Sequence, residues 1–170
     1  MIEVKTLASR LNIHPGDWYF GNEYSSLYTV LGSCVTLSVW HPTLKLGGFC
    51  HYLLAYQPKH LTGADLRLNA GRYASSVLPL MKHAMQRYDV LSEYQLGLFG
   101  GCDAFIHSVI GKQNILYAQQ WLHDQRLTLT QSDVGGTSSR TLALDVSSGN
   151  VELKHYAIQV SNPRLPTKNL

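Results

Sequence analysis

The 170-residue sequence is poor in charge and lacks the features of several large protein classes. Charged residues make up 15% of it, below the roughly 25% of an average globular protein. The net charge of +3 comes without a basic run, which argues against a nucleic-acid partner. No apolar run approaches the ~20 residues of a membrane span, so we expect no membrane insertion. The first residues lack the basic-then-apolar order of a signal peptide, and we expect a cytoplasmic protein.

Cysteine is scarce, and its three copies do not suggest a disulfide framework. Cys34, Cys50 and Cys102 are an odd number with wide spacing, whereas secreted frameworks usually show an even count in a shorter chain. The sequence has no Cys-x-x-Cys pair. A zinc site built from these cysteines and His51 would lack the ligand spacing typical of structural zinc. We therefore expect reduced thiols and no metal.

The hydrophobic content suffices for one packed domain. Hydrophobic residues make up 45% of a chain that is long enough to bury its own core. No repeat, low-complexity segment or linker interrupts it. We assign residues 1–160 to a single domain. Residues 161–170 contain two prolines and little apolar content, which predicts an exposed tail.

The patterning predicts strands and helices in alternating groups. Alternating side chains predict strands at 35–40 and 46–54, joined as an antiparallel pair by a turn at His41-Pro42. Further strands are predicted at 94–99, 127–131, 141–146 and 151–156, the last two joined by a hairpin turn. Apolar spacings of three and four predict helices over 70–88 and 111–124, with Pro79 kinking the first or starting another. This order predicts an α+β fold, with mixed or antiparallel sheets packed in layers with two main helices.

Cys34 is the first candidate for chemistry, because a Gly32-Ser33 turn precedes it at the start of a strand. Glycine permits a tight turn, and exposed backbone N–H groups in such a turn can stabilise an oxyanion. A cysteine is a good nucleophile once a base activates it. The alternative is a small buried core residue, which is a common fate of free cysteine.

His51 lies in the neighbouring predicted strand. If the two strands pair, the side chains of Cys34 and His51 lie near the same end of the pair and could form a nucleophile-and-base unit. The period of two points Cys50 to the opposite face, so we expect Cys50 in the core. A structural role for His51 is the alternative, since other histidines compete for the base role.

Two glycine-rich segments hold further candidates. Cys102 follows Gly100-Gly101 and is either a second nucleophile or, as we prefer, a small residue in a closely packed turn. Asp133 precedes another glycine pair and either orients a histidine or caps a turn.

Together these segments resemble the CheD family, the chemoreceptor glutamine deamidases of bacterial chemotaxis. Residues 29–35, TVLGSCV, are close to the family's TLLGSCV, and residues 47–54, GGFCHYLL, are similar to its GGMNHFML. The resemblance extends from about residue 12 to about residue 155. Later and earlier blocks that match in the same order are HPGDW at 14–18, RY at 72–73, LFGG at 98–101, IGKQN at 110–114 and DVGG at 133–136.

The resemblance implies a specific site. Cys34 matches the family's nucleophile and His51 its base. Thr29 is the best match for a third residue, a threonine that either orients the histidine or only packs. Backbone N–H groups around Gly32 and Ser33 would hold the oxyanion.

The resemblance also implies an activity and partners. The reaction is hydrolysis of glutamine side chains to glutamate on the cytoplasmic helical region of methyl-accepting chemoreceptors, through a thioester and without a cofactor. Glutamate methyl esters are a second substrate class to consider. The alternative is a non-catalytic adaptor that binds receptors or a CheC-type phosphatase. The chain departs from the family at Cys50, where asparagine is common, and at Cys102, where a small apolar residue is usual.

Overall fold

The computed structural model describes residues 8–104 and 108–158. The strands are β1 (Ala8–Asn12), β2 (Trp18–Gly21), β3 (Tyr24–Leu31), β4 (Val35–His41), β5 (Leu46–Tyr52), β6 (Gln95–Gly100), β7 (Gln131–Val134), β8 (Ser138–Asp145) and β9 (Val151–Ala157). The helices are α1 (Gly63–Leu68), α2 (Ala74–Gln86) and α3 (Ile110–Asp124), with 3-10 turns at Ala70–Arg72 and Leu91–Glu93.

Two sheets and a helical layer form the fold. One sheet has the strand order β1-β3-β8-β9 and the other the order β2-β5-β4-β6-β7. Each sheet contains one parallel pair, β1 with β3 and β6 with β7, and its other pairs are antiparallel. The five-stranded sheet lies in the middle, between the four-stranded sheet and helices α2 and α3.

The strands β4 and β5 are buried on both faces. On one face Val35, Leu37 and Cys50 belong to the core shared with α2 and α3. On the other face Trp40 and Phe49 belong to the core between the sheets. Because both faces bury side chains, the register of this pair is strongly specified.

The main sequence expectations are confirmed. The α+β fold has layered mixed sheets and two long helices, α2 and α3. The strands β4 and β5 form the predicted antiparallel pair, with His41 opposite Leu46 beside the turn. The strands β8 and β9 form the predicted hairpin. No helix of the described ranges is long and apolar enough to cross a membrane. The predicted tail, residues 161–170, lies outside the described residues.

The strand predicted at 127–131 is wrong, because pairing begins only at Gln131. Leu127 and Leu129 pack at the margin of the helix-side core, so their alternation reflects burial without ladder pairing. Thr130 N–H donates to the Leu96 carbonyl at 2.8 Å just before the strand begins.

The helix predicted over 70–88 is shorter than expected and unbroken at its proline. Helix α2 begins at Ala74 and runs through Pro79, which therefore starts no second helix. Val77, Leu78 and Met81 flank the proline and are fully buried. This packing outweighs the backbone hydrogen bond that the proline removes, since tertiary packing supplies most of a helix's stability in a protein.

Gly100 ends β6 in a conformation that glycine favours. Its φ is +106°, and a Cβ at this position would overlap the Cys34 carbonyl oxygen. The missing side chain therefore lets β6 end directly against the segment that leads into β4. Gly136 also has a positive φ, +70°, but a Cβ there would meet no atom within 4 Å.

We predict that Gly100→Ala destabilises the protein more than the matched control Gly136→Ala. Both substitutions force alanine into a positive φ, at a cost of about 1–2 kcal/mol, but only the first also displaces backbone. We expect a difference of at least about 1 kcal/mol in the free energy of unfolding, measured by urea denaturation. Equal losses would contradict the close approach of β6 to Cys34.

Candidate functional site

The pairing of β4 with β5 brings Cys34 and His51 to the same face. Thr36 lies directly opposite His51, and Cys34 precedes Thr36 by two positions. Since side chains alternate along a strand, Cys34, Thr36 and His51 face the four-stranded sheet. Cys34 accordingly packs against the core between the sheets, whereas Cys50 is fully buried in the helix-side core. The predicted divergence of Cys50 from His51 is confirmed.

Thr29 reaches His51 from the other sheet. Its Oγ1 lies 2.8 Å from His51 Nδ1 and 2.7 Å from the Ile13 carbonyl oxygen. The hydroxyl has one hydrogen, and a carbonyl can only accept, so Oγ1 donates to Ile13 and accepts from Nδ1–H. This network assigns the ring proton to Nδ1 and leaves the Nε2 lone pair available.

His51 is held neutral with its second nitrogen unused. The side chain is 1% exposed, and Nε2 has no hydrogen-bond partner among the described residues. Burial disfavours the charged ring and lowers its pKa from 6.5 to about 4. At neutral pH the imidazole is therefore an uncharged base.

The Cys34 thiol is half-buried. Burial raises its pKa, and a hydrogen bond from its own backbone N–H opposes that shift. The hydrogen bonds of the described residues do not include one between this thiol and His51 Nε2. The resting pair is thus a neutral thiol and a neutral imidazole, and catalytic contacts of this kind often tighten only when substrate is bound.

The loop before β4, residues 32–34, has every carbonyl turned into the protein. The Gly32 carbonyl accepts from Cys102 N–H at 2.9 Å, and the Cys34 carbonyl accepts from Gly101 N–H at 2.8 Å. The Ser33 carbonyl accepts from the Asn114 side chain at 3.1 Å. In a trans peptide the N–H points opposite to the carbonyl of the same unit. The N–H groups of Ser33 and Cys34 therefore point away from these internal partners. The bond from Gly32 carbonyl to Cys102 does not orient the N–H of Gly32, which belongs to the preceding peptide.

The chain is similar to known proteins that share one family name. A family model described as CheD chemotactic sensory transduction matches residues 57–155. The chain is 38% identical over 150 residues to a Chromobacterium violaceum protein named "Probable chemoreceptor glutamine deamidase CheD 1", covering 84% of this chain and 75% of that protein. It is 33% identical over 162 residues to the Pseudomonas syringae pv. tomato protein "Probable chemoreceptor glutamine deamidase CheD", covering 91% and 94%.

This chain belongs to the CheD family. A third relative, the Leptospira interrogans protein "Probable chemoreceptor glutamine deamidase CheD 1", is 32% identical to this chain over 152 residues, covering 83% of this chain and 89% of that protein. The family model begins only after His51. The alignment with the Pseudomonas syringae protein covers 91% of this chain, so it must begin before His51 and include both Cys34 and His51. The resemblance to CheD drawn from the sequence is confirmed.

Asp133, in the last block that resembles CheD, does contact a histidine, but the histidine is not His51. Its carboxylate accepts from Arg140 Nε at 2.7 Å and lies 3.1 Å from His155 Nε2. Burial alone would raise the pKa of Asp133, but the hydrogen bonds from Arg140 and His155 lower it. Since Asp133 is on β7 and Arg140 on β8, this ion pair joins the two sheets.

The zinc set considered from the sequence is not assembled. Cys50 points to the helices, and burial raises its pKa to about 12, while His51 faces the other sheet. Across residues 8–104 and 108–158, no group of three or more histidine, cysteine or acidic side chains is arranged to hold a metal ion. Cys102 is buried, and its backbone supports the loop before Cys34.

Two polar residues beside the site were missed by the sequence analysis. Asn114 is fully buried on α3 and contacts the loop before Cys34. Thr36 is buried opposite His51, and its hydroxyl has no hydrogen-bond partner among the described residues. Asn114 lies in the IGKQN block that resembles CheD, which was its one visible signal. Thr36 could be found only through its register with His51.

We predict that His51 makes the protein less stable as the pH falls from 6.5 to 4. In this range His51 binds a proton in the unfolded chain but not in the folded chain. The free energy of unfolding therefore falls as the pH falls, and it levels off below pH 4. The loss between pH 7.5 and 4.5 should be roughly 2–3 kcal/mol. Urea unfolding of wild type and His51→Gln at both pH values isolates this contribution. An equal pH dependence in the two proteins would contradict the lowered pKa.

Proposed function

We propose that this chain hydrolyses glutamine side-chain amides of methyl-accepting chemoreceptors to glutamate. The observation that carries the proposal is the Thr29–His51 hydrogen bond, which leaves an unpartnered Nε2 on the same face as Cys34. The relatives' names, which describe chemoreceptor glutamine deamidases, point to the same substrate. The helical cytoplasmic region of the receptors is the proposed location of the glutamines.

In the first half of the reaction, Cys34 Sγ attacks the amide carbon and its proton passes to His51 Nε2. The carbonyl oxygen becomes an oxyanion, for which the N–H groups of Ser33 and Cys34 are the proposed donors. His51 then gives the proton to the amide nitrogen, which leaves as ammonia as the C–N bond breaks. The product on the protein is a thioester of Cys34.

In the second half, a water molecule gives a proton to His51 Nε2 and attacks the thioester carbon. The C–S bond breaks, glutamate leaves, and the proton returns to the sulfur. Thr29 keeps the proton on Nδ1 throughout, so that Nε2 remains the acceptor. Glutamate methyl esters would follow the same steps with methanol as the leaving group.

The pKa shifts suit proton transfer during bond formation rather than a preformed ion pair. Burial raises the pKa of the Cys34 thiol and lowers that of His51, so both groups are neutral at rest. An imidazolium with a low pKa is a strong acid, which favours protonation of the amide nitrogen, a poor leaving group until it is protonated. The charge pair therefore forms only along the reaction.

We predict that Cys34→Ala abolishes deamidation and leaves the fold intact. Purified protein would be incubated with cytoplasmic fragments of receptors from the same cell, and mass spectrometry would detect conversion of glutamine to glutamate. The control Cys50→Ala, on the opposite face of β5, should retain activity.

The outcomes separate catalysis from a binding role. Conversion by wild type and Cys50→Ala, but not by Cys34→Ala, supports the amidohydrolase. No conversion by wild type across several receptors would refute it. Receptor or CheC-type phosphatase binding without conversion would instead support the adaptor alternative.

We predict that Thr29→Val lowers kcat by about 10- to 100-fold, by analogy with the loss seen when a hydrogen-bond partner that orients a metal-binding histidine is removed. Valine matches threonine in shape but leaves His51 Nδ1–H without its acceptor. The control Thr29→Ser keeps the hydroxyl and should stay close to wild type. Steady-state deamidation kinetics would compare the three proteins, and equal rates would mean that Thr29 only packs.

A further inference from the structure

Asn114 connects the nucleophile loop to the strand that carries the base. It lies on α3 and is 0% exposed. Its Nδ2 donates to the Ser33 carbonyl at 3.1 Å and to the Leu53 carbonyl at 2.8 Å. Ser33 immediately precedes Cys34, and Leu53 follows His51 by two positions. One side-chain nitrogen therefore holds both halves of the candidate site.

Helix α3 also contacts the strand that carries the base. The Tyr52 hydroxyl donates to the Asn114 backbone carbonyl at 2.8 Å, from beside His51 on β5. At the start of the same helix, a Cβ on Gly111 would overlap the backbone of Gly101. Helix α3 thus lies close enough for a side chain as short as asparagine to reach the loop.

The two hydrogen bonds of Asn114 Nδ2 require a side chain with an amide group. Two carbonyl oxygens must be satisfied from one buried point, and an NH₂ group supplies two donors. The Asn114 Oδ1 is buried without a partner among the described residues. A buried unpartnered acceptor is unfavourable, so the two Nδ2 hydrogen bonds are the interactions that favour a polar residue here.

We propose that Asn114 is a positioning residue for amide hydrolysis, an inference that rests on the function proposed above. The Ser33 carbonyl and the Cys34 N–H belong to one peptide unit and point in opposite directions. By holding that carbonyl inward, Asn114 turns the Cys34 N–H outward, where it can donate to the oxyanion. Its second hydrogen bond keeps this peptide in a fixed relation to the end of β5.

Two reactions of Cys34 separate positioning from general structure. Acylation by p-nitrophenyl acetate passes through an oxyanion, whereas alkylation by iodoacetamide displaces iodide from carbon and forms none. We expect Asn114→Ala to slow acylation and deamidation by at least about tenfold, approaching the loss of an oxyanion donor. Alkylation should stay within about twofold of wild type, and the KM for the receptor fragment should be unchanged.

The control is Tyr52→Phe, which removes the hydrogen bond to the Asn114 backbone but leaves Nδ2 in place. It should keep a nearly wild-type ratio of acylation to alkylation even if the melting temperature falls. If Asn114→Ala does not fold, Asn114→Ser is measured instead, because serine leaves room for water to satisfy the carbonyls.

An unchanged ratio of the acylation rate to the alkylation rate in the folded Asn114 variant would overturn the proposal, whether both rates stay the same or both fall equally. The ratio is independent of the receptor. A wild-type protein that is acylated at Cys34 but converts no receptor glutamine would refute the proposed function alone, and the ratio would still decide the role of Asn114.

Discussion

The antiparallel pairing of β4 with β5 is the constraint on which the candidate site depends. Both strands are buried on both faces. One face of the pair packs against the helices, and the other face packs against the second sheet. A slip of one residue would exchange Cys50 with His51 and place an imidazole in the apolar helix-side core. The same core packing that stabilises the fold therefore fixes which side chain faces Cys34.

The second sheet determines the tautomer of His51. Thr29 on β3 reaches across the inter-sheet core, and its hydroxyl is already committed to the Ile13 carbonyl. It can therefore serve His51 only as an acceptor, which fixes the tautomer. Burial then keeps the ring uncharged. Packing between two sheets sets both the orientation and the protonation state of the proposed base.

The sequence predicted the parts of the site that depend on local alternation. The β4–β5 pair and the opposite faces of Cys50 and His51 follow from a period of two, and Thr29 followed from the resemblance to CheD. Other parts depend on contacts between distant segments. Asn114 is 81 positions from Ser33 and 61 from Leu53, and no local pattern encodes such a meeting. The false strand at 127–131 shows the same limit, because alternation reports burial but does not name a pairing partner.

The proposed nucleophile and base are held by different layers of the fold. His51 is fixed by strand register and by the four-stranded sheet. The loop before Cys34 is fixed by the turn after β6 and by α3, through Cys102, Gly101 and Asn114. The contacts to the Gly32 and Ser33 carbonyls fix the peptide units that carry the N–H groups of Ser33 and Cys34, so they determine the direction of these two donors. A turn whose carbonyls were satisfied by solvent could rotate its peptides, whereas this loop keeps the N–H groups of Ser33 and Cys34 directed outward, as the proposed oxyanion would require.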